Sequence, residues 1–114
     1  MFSKVDTVHI IVDDLKKSVQ WYTEVLEFEQ VFDSGQYIVF QIGQASTKLT
    51  IQEGKVRPSS IKPILFSDAL EETRLKLVEK GVNVGEIEED GEVSFFEFWD
   101  LDGNGFEACQ YMNF

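Results

Sequence analysis

Residues 9–28 read HIIVDDLKKSVQWYTEVLEF, and within this stretch the hydrophobic pattern changes from one period to another. The first residues, together with the preceding VDTV, alternate and are β-branched, which predicts a strand with His9 and Ile11 on the same face. Asp13 or Asp14 then caps a helix whose apolar residues recur at helical spacing. The stretch therefore predicts a strand that is followed directly by an amphipathic helix.

The rest of the chain repeats this order. Three short strand-like runs follow the helix, FEQVFDS, QYIVFQIG and TKLTIQEG, and GKVRPSS forms a linker. A strand (IKPILFSD), a helix (ALEETRLKLVEKG) and three strands (VNVGEIEED, EVSFFEFWD and GFEACQYM) come next, a repeat of roughly 55 residues. We predict an α+β fold for the single domain 1–114, built from two βαβββ modules at about 1–53 and 61–114 with the linker at about 54–60. Each module has one helix to cover one face of its sheet, so the open faces would curl around a shared hollow.

The composition limits the classes of partner. The chain has 21 Asp and Glu against 10 Lys and Arg, a net charge of -11. Nucleic acids and anionic membrane surfaces are not expected partners, because phosphate binding needs clustered basic residues. The N-terminal apolar run is too short to span a bilayer or to serve as a signal peptide, and the single Cys109 cannot form an internal disulfide. We expect a cytoplasmic protein whose acidic surface keeps it soluble and favours cationic ligands.

Two segments carry a resemblance to a known family. HIIVDDLKKSVQWYTEVLEF at the front and FWDLDGNGFEACQ at the back resemble the vicinal oxygen chelate superfamily, the glyoxalase, bleomycin resistance and extradiol dioxygenase group. The second segment is similar to the signature aromatic-x-Asp-Pro-Asp-Gly-Asn-x-x-Glu, with Leu101 where Pro is usual. The resemblance covers essentially the whole chain. It implies paired βαβββ modules in an open, barrel-like, concave mixed sheet with the helices outside, a ligand held on the concave side, and a homodimer.

The resemblance also implies where a metal ion would bind. In metal-using members the position of Glu107 holds a divalent ion and His9 occupies the other recognisable ligand position, while strand alternation puts Thr50 and Lys62 at the remaining two. A catalytic ion needs at least three protein ligands, and neither a neutral hydroxyl nor an ammonium suits. We therefore expect no metal cofactor, unless Glu97 or a neighbouring subunit completes the set. Without a metal ion, Lys62 would replace the ion and pair with Glu107 or with an acidic ligand group; the alternative is that its side chain simply extends to solvent.

Aromatic side chains are the other notable feature of the predicted hollow. A largely apolar pocket with a few polar groups is typical of small-molecule sites, and flat rings stack on cations and heteroaromatic molecules. The alternative is that some of these rings complete the core or a dimer interface. The predicted ligand-binding residues are His9, Tyr37, Gln41, Thr50, Lys62, Phe66, Glu97, Trp99, Glu107 and Tyr111.

Two functions are compatible with these residues. The first is metal-free binding of a small aromatic or cationic molecule, as in bleomycin resistance, which needs no catalytic group and would confer antibiotic resistance by sequestration. The second is a metal-dependent lyase or isomerase similar to glyoxalase, or a dioxygenase, in which His9 and Glu107 hold Zn, Ni, Mn or Fe. A non-catalytic interaction module is a third alternative. No catalytic residue is assigned, because Cys109 has no second His to activate it and no nucleophile-elbow or phosphate-binding motif is present.

Overall fold

The computed structural model describes residues 1–112 and divides into two compact units, Met1–Arg57 and Pro58–Phe114. Each unit has one α-helix and its own mixed sheet, of four strands in the first unit and five in the second, and neither sheet closes into a barrel. This confirms the predicted α+β class. In the part of the chain that is described, no helix is both long and apolar enough to cross a membrane.

The first unit contains a four-stranded sheet in the order β1-β4-β3-β2, in which β1 runs parallel to β4 and the other pairs are antiparallel. Its elements in chain order are β1 (Thr7–Val12), α1 (Leu15–Glu24), β2 (Glu29–Asp33), β3 (Tyr37–Gln41) and β4 (Lys48–Glu53).

Helix α1 begins where the sequence predicts and ends earlier. The side chain of Asp14 caps its N-terminus by accepting a backbone hydrogen bond at 3.0 Å. The predicted helix ran to Phe28, but the observed one stops at Glu24, and Glu27 then adopts a positive φ of 60°. This turn brings the ring of Phe28 back onto Tyr22, with 6.2 Å between their centroids. Phe28 is therefore a core residue outside the helix.

Strand alternation divides the first sheet into a buried face and an open face. The buried side chains, all 9% exposed or less, are Val12, Ile38, Phe40, Leu49 and Ile51 on the strands, Tyr22 on α1, and Phe28. The residues between them on the strands point the other way, where no helix of this unit covers them. Thr7, His9, Tyr37, Val39, Thr50 and Gln52 lie on this open face.

The second unit contains a five-stranded sheet in the order β5-β9-β8-β6, with β7 also paired to β8. Strand β5 runs parallel to β9, and the other pairs are antiparallel. Its elements in chain order are β5 (Ile64–Phe66), α2 (Leu70–Glu79), β6 (Asn83–Val84), β7 (Glu88–Glu89), β8 (Val93–Trp99) and β9 (Gly105–Tyr111).

Two predicted strands of this unit are shorter than expected. The run IKPILFSD forms a strand over Ile64–Phe66, and Pro63 before it has no N–H to donate to a ladder. The run VNVGEIEED forms two separate two-residue strands rather than one. Gly85 lies between these two strands. Its N–H donates to the Glu97 carbonyl at 2.7 Å, and its carbonyl accepts a hydrogen bond from the side chain of Arg74 (Nε) at 2.8 Å.

The core of the second unit is a stack of phenylalanine rings on the helix-covered face. Phe96, Phe98 and Phe106 are 2% exposed or less, and the rings of Phe98 and Phe106 stack with their centroids 5.1 Å apart. The turn between β8 and β9 is organised by Asp100, which accepts three hydrogen bonds of 2.9 Å from the backbone N–H of Asp102 and from the backbone and side chain of Asn104. This turn fixes the register that places Glu107 in β9.

Removing a stacked ring should destabilise the protein far more than removing an exposed one. We expect Phe106→Ala to lower the free energy of unfolding by about 3–5 kcal/mol, because it leaves a cavity in a close-packed core. The same change at Phe66, which is 58% exposed, should cost under about 1 kcal/mol. Urea unfolding measures both values, and equal losses would contradict the assigned packing.

Candidate functional site

The open face of the first sheet carries two pairs of polar side chains. Thr50 is buried, and its Oγ1 lies 2.8 Å from Oγ1 of Thr7 on the neighbouring strand. His9 is exposed, and its Nε2 lies 2.9 Å from Oε1 of Gln52. Each pair bridges β1 and β4, which run side by side in parallel. The buried hydroxyl of Thr50 thus has a hydrogen-bond partner, as buried polar groups in folded proteins normally do, and His9 uses one of its two ring nitrogens in its pair.

These polar pairs form part of a depression of about 540 Å³. Its volume falls within the range of small-molecule pockets, about 300–1,000 Å³. Tyr37 and Phe32 contribute aromatic rings whose centroids are 6.0 Å apart. Asp6 and Lys48 contribute one charge of each sign. The depression therefore combines flat apolar surface with a small number of hydrogen-bonding groups.

A β-bulge brings two apolar residues to this depression that the sequence did not indicate. The pairing of β2 with β3 shifts by one residue between Gln30 and Phe32, and both Val31 and Phe32 line the depression. In a regular strand, neighbours point to opposite faces, so FEQVFDS gives no sign that both reach one side. Thr7 and Gln52 could have been found, because they share the parity of His9 and Thr50 respectively.

In the second unit, Lys62 forms ion pairs with two carboxylates. Its Nζ lies 3.1 Å from Oε2 of Glu97 and 3.5 Å from Oε1 of Glu107. Glu97 and Glu107 are direct cross-strand partners on β8 and β9, and like charges in that position repel. Pro63, next to Lys62 in the chain, accepts a 3.0 Å hydrogen bond from the backbone N–H of Glu107. The ammonium is held where it offsets the repulsion of the two carboxylates.

This arrangement affects two titrating groups. The hydrogen bond to Glu97 has the largest effect and raises the pKa of Lys62 above its ordinary value of 10.5. Burial acts in the opposite direction, and the charges of Glu97 and Glu107 each add a smaller upward effect. Burial, and then the charge of Glu107, raise the pKa of the Cys109 thiol. Cys109 is therefore a protonated, buried thiol, which is a poor nucleophile.

The residues at the four positions implied for a metal ion do not fit a divalent cation. Lys62 places a positive charge 3.5 Å from the Glu107 carboxylate, where it would repel an ion. Thr50 offers a neutral hydroxyl that is already bonded to Thr7. Within residues 1–112, no group of three or more His, Cys, Asp and Glu side chains is arranged to hold a metal ion. His9 belongs to the first unit and Glu107 to the second.

The other predicted site residues occupy different places. Gln41 lies outside the depression, because its amide donates to the backbone carbonyls of Gly43 and Ala45 in the β3–β4 turn. Phe66 and Tyr111, each more than half exposed, contact one another with 5.2 Å between ring centroids. Among the predicted residues the structure brings together three sets: His9, Tyr37 and Thr50; Lys62, Glu97 and Glu107; and Phe66 with Tyr111. Trp99 is the cross-strand partner of Gly105, and its indole ring lies next to that glycine.

Comparison with known proteins gives one family match and several structural neighbours. The profile of the Glyoxalase/Bleomycin resistance protein/Dioxygenase superfamily matches residues 4–108. No curated protein sequence matches the chain at a significant level. TnmS3, an antibiotic binding protein from a Streptomyces species, is 24% identical with a TM-score of 0.87, covering 97% of this chain and 98% of its own.

Two further neighbours have similar folds. A member of the same superfamily from Sphaerobacter thermophilus is 24% identical with a TM-score of 0.86, covering 96% of this chain and 98% of its own. A variant of the fosfomycin resistance protein FosX from Listeria monocytogenes, complexed with Mn(II) and 1S,2S-dihydroxypropylphosphonic acid, is 23% identical with a TM-score of 0.79, covering 95% and 90%. At these identities the likeness establishes the fold alone.

The ion pairs of Lys62 predict how stability depends on alkaline pH. A raised pKa means that the folded protein holds the Lys62 proton more tightly than the unfolded chain. The stabilisation is complete below the ordinary value of 10.5 and is lost as pH rises through the higher folded value. We expect the free energy of unfolding to fall less steeply above about pH 10 in Lys62→Met than in the parent protein.

Urea unfolding at a series of pH values provides the measurement. All proteins compared should carry Cys109→Ala, because the thiol, whose pKa is also raised, adds its own loss of stability in alkali. Lys4→Met, at an exposed lysine near the N-terminus, is the matched control. A parent slope equal to that of Lys62→Met would show that the ion pairs contribute nothing.

Proposed function

The chain belongs to the glyoxalase/bleomycin resistance protein/dioxygenase superfamily, and we propose that it is a metal-free binding protein for a small aromatic or cationic molecule. The depression on the open face of the first sheet is the observation that carries this proposal. Its rings, hydrogen-bonding groups and volume of about 540 Å³ match the features of small-molecule sites. Stoichiometric capture requires no catalytic group.

The side chains that line the depression favour an aromatic ligand. Tyr37 and Phe32 are inclined at 43° to one another, so a flat molecule can stack on one ring and meet the edge of the other. Asp6 and Lys48 balance each other in charge, so the depression itself prefers neither cations nor anions. The net charge of -11 still attracts cationic molecules over longer distances, which supports a positively charged aromatic ligand.

The charges around Lys62 support binding without a metal ion. The ammonium of Lys62 already pairs with the carboxylate of Glu107, which in metal-using members would bind the ion. Lys62, Glu97 and Glu107 together carry one positive and two negative charges, a net charge of -1. An acidic ligand is therefore not expected to pair with Lys62, because the two carboxylates would repel it.

The neighbours provide an example of each candidate function. TnmS3 is an antibiotic binding protein, and sequestration of an antibiotic is the role that we propose here. The FosX structure contains Mn(II), and it represents the metal-dependent alternative. Because both share the fold, the fold does not distinguish them. The side chains at the four positions implied for a metal ion do distinguish the two functions, and in this chain they favour the binding protein.

We also propose a cytoplasmic homodimer. Strand β5 has one neighbour, β9, among the described strands, and Ile64 and Phe66 on β5 are both 58% exposed. An apolar edge strand favours association with another chain. The free thiol of Cys109 is compatible with a reducing compartment.

Metal analysis tests the metal-free proposal. We expect protein purified without chelator to retain well below one metal ion per chain after dialysis, because the donor set lacks a third ligand. A screen of aromatic compounds should raise the melting temperature to the same extent with and without chelator. One Zn, Ni, Mn or Fe ion retained per chain, together with ligand binding that chelator abolishes, would favour the metal-dependent alternative.

Substitution of Tyr37 tests the place of binding. Tyr37→Ala should weaken the best aromatic compound from that screen by about five- to tenfold, because it removes one of the two stacking rings. Tyr37→Phe keeps the ring and is the matched control, with an expected change below about twofold. Calorimetric titration measures the affinities. Equal affinity in the parent protein and Tyr37→Ala would place the ligand elsewhere.

A further inference from the structure

His9 and Gln52 form a contact in the depression between an imidazole ring and a side-chain amide. They lie on β1 and β4, and Nε2 of His9 is 2.9 Å from Oε1 of Gln52. The Gln52 oxygen that faces Nε2 can only accept a hydrogen bond, so in this contact Nε2 is the donor and carries the hydrogen. A neutral imidazole has a single N–H. The contact therefore leaves Nδ1 as a bare nitrogen with a lone pair.

The environment of His9 leaves this lone pair available. His9 is exposed and lines the depression. No residue within 1–112 forms a hydrogen bond with its Nδ1. The nearby hydroxyls of Thr7 and Thr50 are 2.8 Å apart and bond to each other. A molecule in the depression would thus meet an unused acceptor at His9.

We propose that Gln52 is a positioning residue that holds His9 in the tautomer with hydrogen on Nε2, and that Nδ1 then selects ligands that donate a hydrogen bond. The ligand class is phenols and heteroaromatic molecules with a ring N–H. The inference rests on the proposed function, because it concerns the same depression. It adds the chemical group by which one flat molecule is preferred over another.

The tautomer can be measured without any ligand. His9 is the single histidine of the chain, so a long-range ¹H–¹⁵N spectrum reports on it alone. We expect the signature of a protonated Nε2 and a bare Nδ1 in neutral His9. Gln52→Leu removes the acceptor and should give a mixture of the two tautomers. A dominant tautomer with hydrogen on Nδ1, or a spectrum unchanged in Gln52→Leu, would overturn the role of Gln52.

Two matched probes test the selection of ligands. 2-Naphthol donates a hydrogen bond, and 2-methoxynaphthalene presents the same ring system without a donor. In buffer of about pH 8, where histidine is ordinarily neutral, 2-naphthol should bind about two- to tenfold more tightly. His9→Phe keeps an aromatic ring but no acceptor, and should bind the two probes equally.

The results separate this inference from the proposed function. Binding of both probes with equal affinity to the parent protein would overturn the selection by Nδ1 and leave aromatic binding intact. If neither probe binds, both aromatic binding in the depression and the selection by Nδ1 are contradicted. The spectrum of His9 tests the role of Gln52 independently of that result. A preference for 2-naphthol that persists in His9→Phe would assign the acceptor to another residue.

Discussion

The alternation of side chains along each strand, combined with one helix per sheet, is the constraint on which the rest of the structure depends. A helix can bury one face of a sheet, and every second residue must then serve the other face. In β4 this rule buries Leu49 and Ile51 against the helix side and sends Thr50 to the opposite side. In β9 it buries Phe106 and turns Glu107 the other way. The chemistry of both open faces follows from the residues that occupy these positions.

On the open face of the second sheet, the main electrostatic requirement is a cation between two carboxylates. The register of β8 and β9 makes Glu97 and Glu107 direct cross-strand partners, so their side chains leave the sheet next to each other. A metal ion or a lysine can supply the positive charge, and this chain supplies Lys62. A lysine neutralises charge but offers no open coordination position for substrate.

The sequence predicted those parts of the molecule that depend only on the spacing of apolar residues along the chain. The order of helices and strands and the face on which Thr50 lies follow from alternation and helical spacing. It could not predict the bulge beside Phe32, because a shift of register arises from pairing between strands and leaves no mark on the local pattern.

Local backbone chemistry accounts for the remaining differences between sequence and structure. Helix α1 stops at Glu24 although its apolar spacing continues, because packing of Phe28 against Tyr22 outweighs helical propensity. Gln41 has the parity of a site residue, yet its amide is bound to the carbonyls of a turn. Alternation gives the direction of a side chain and not the partner that it finds there.

The polar pairs of the first sheet show how an open site can exist without a large cost in stability. Hydroxyl, imidazole and amide groups on a half-buried surface destabilise a fold when they lack partners. Here Thr7 bonds Thr50 and His9 bonds Gln52 through Nε2, so most of these groups have partners before any ligand arrives, and the exposed Nδ1 of His9 can meet water. A ligand that donates to the remaining acceptor adds an interaction and breaks none. The same contacts that make the empty face tolerable therefore leave it ready to discriminate between ligands.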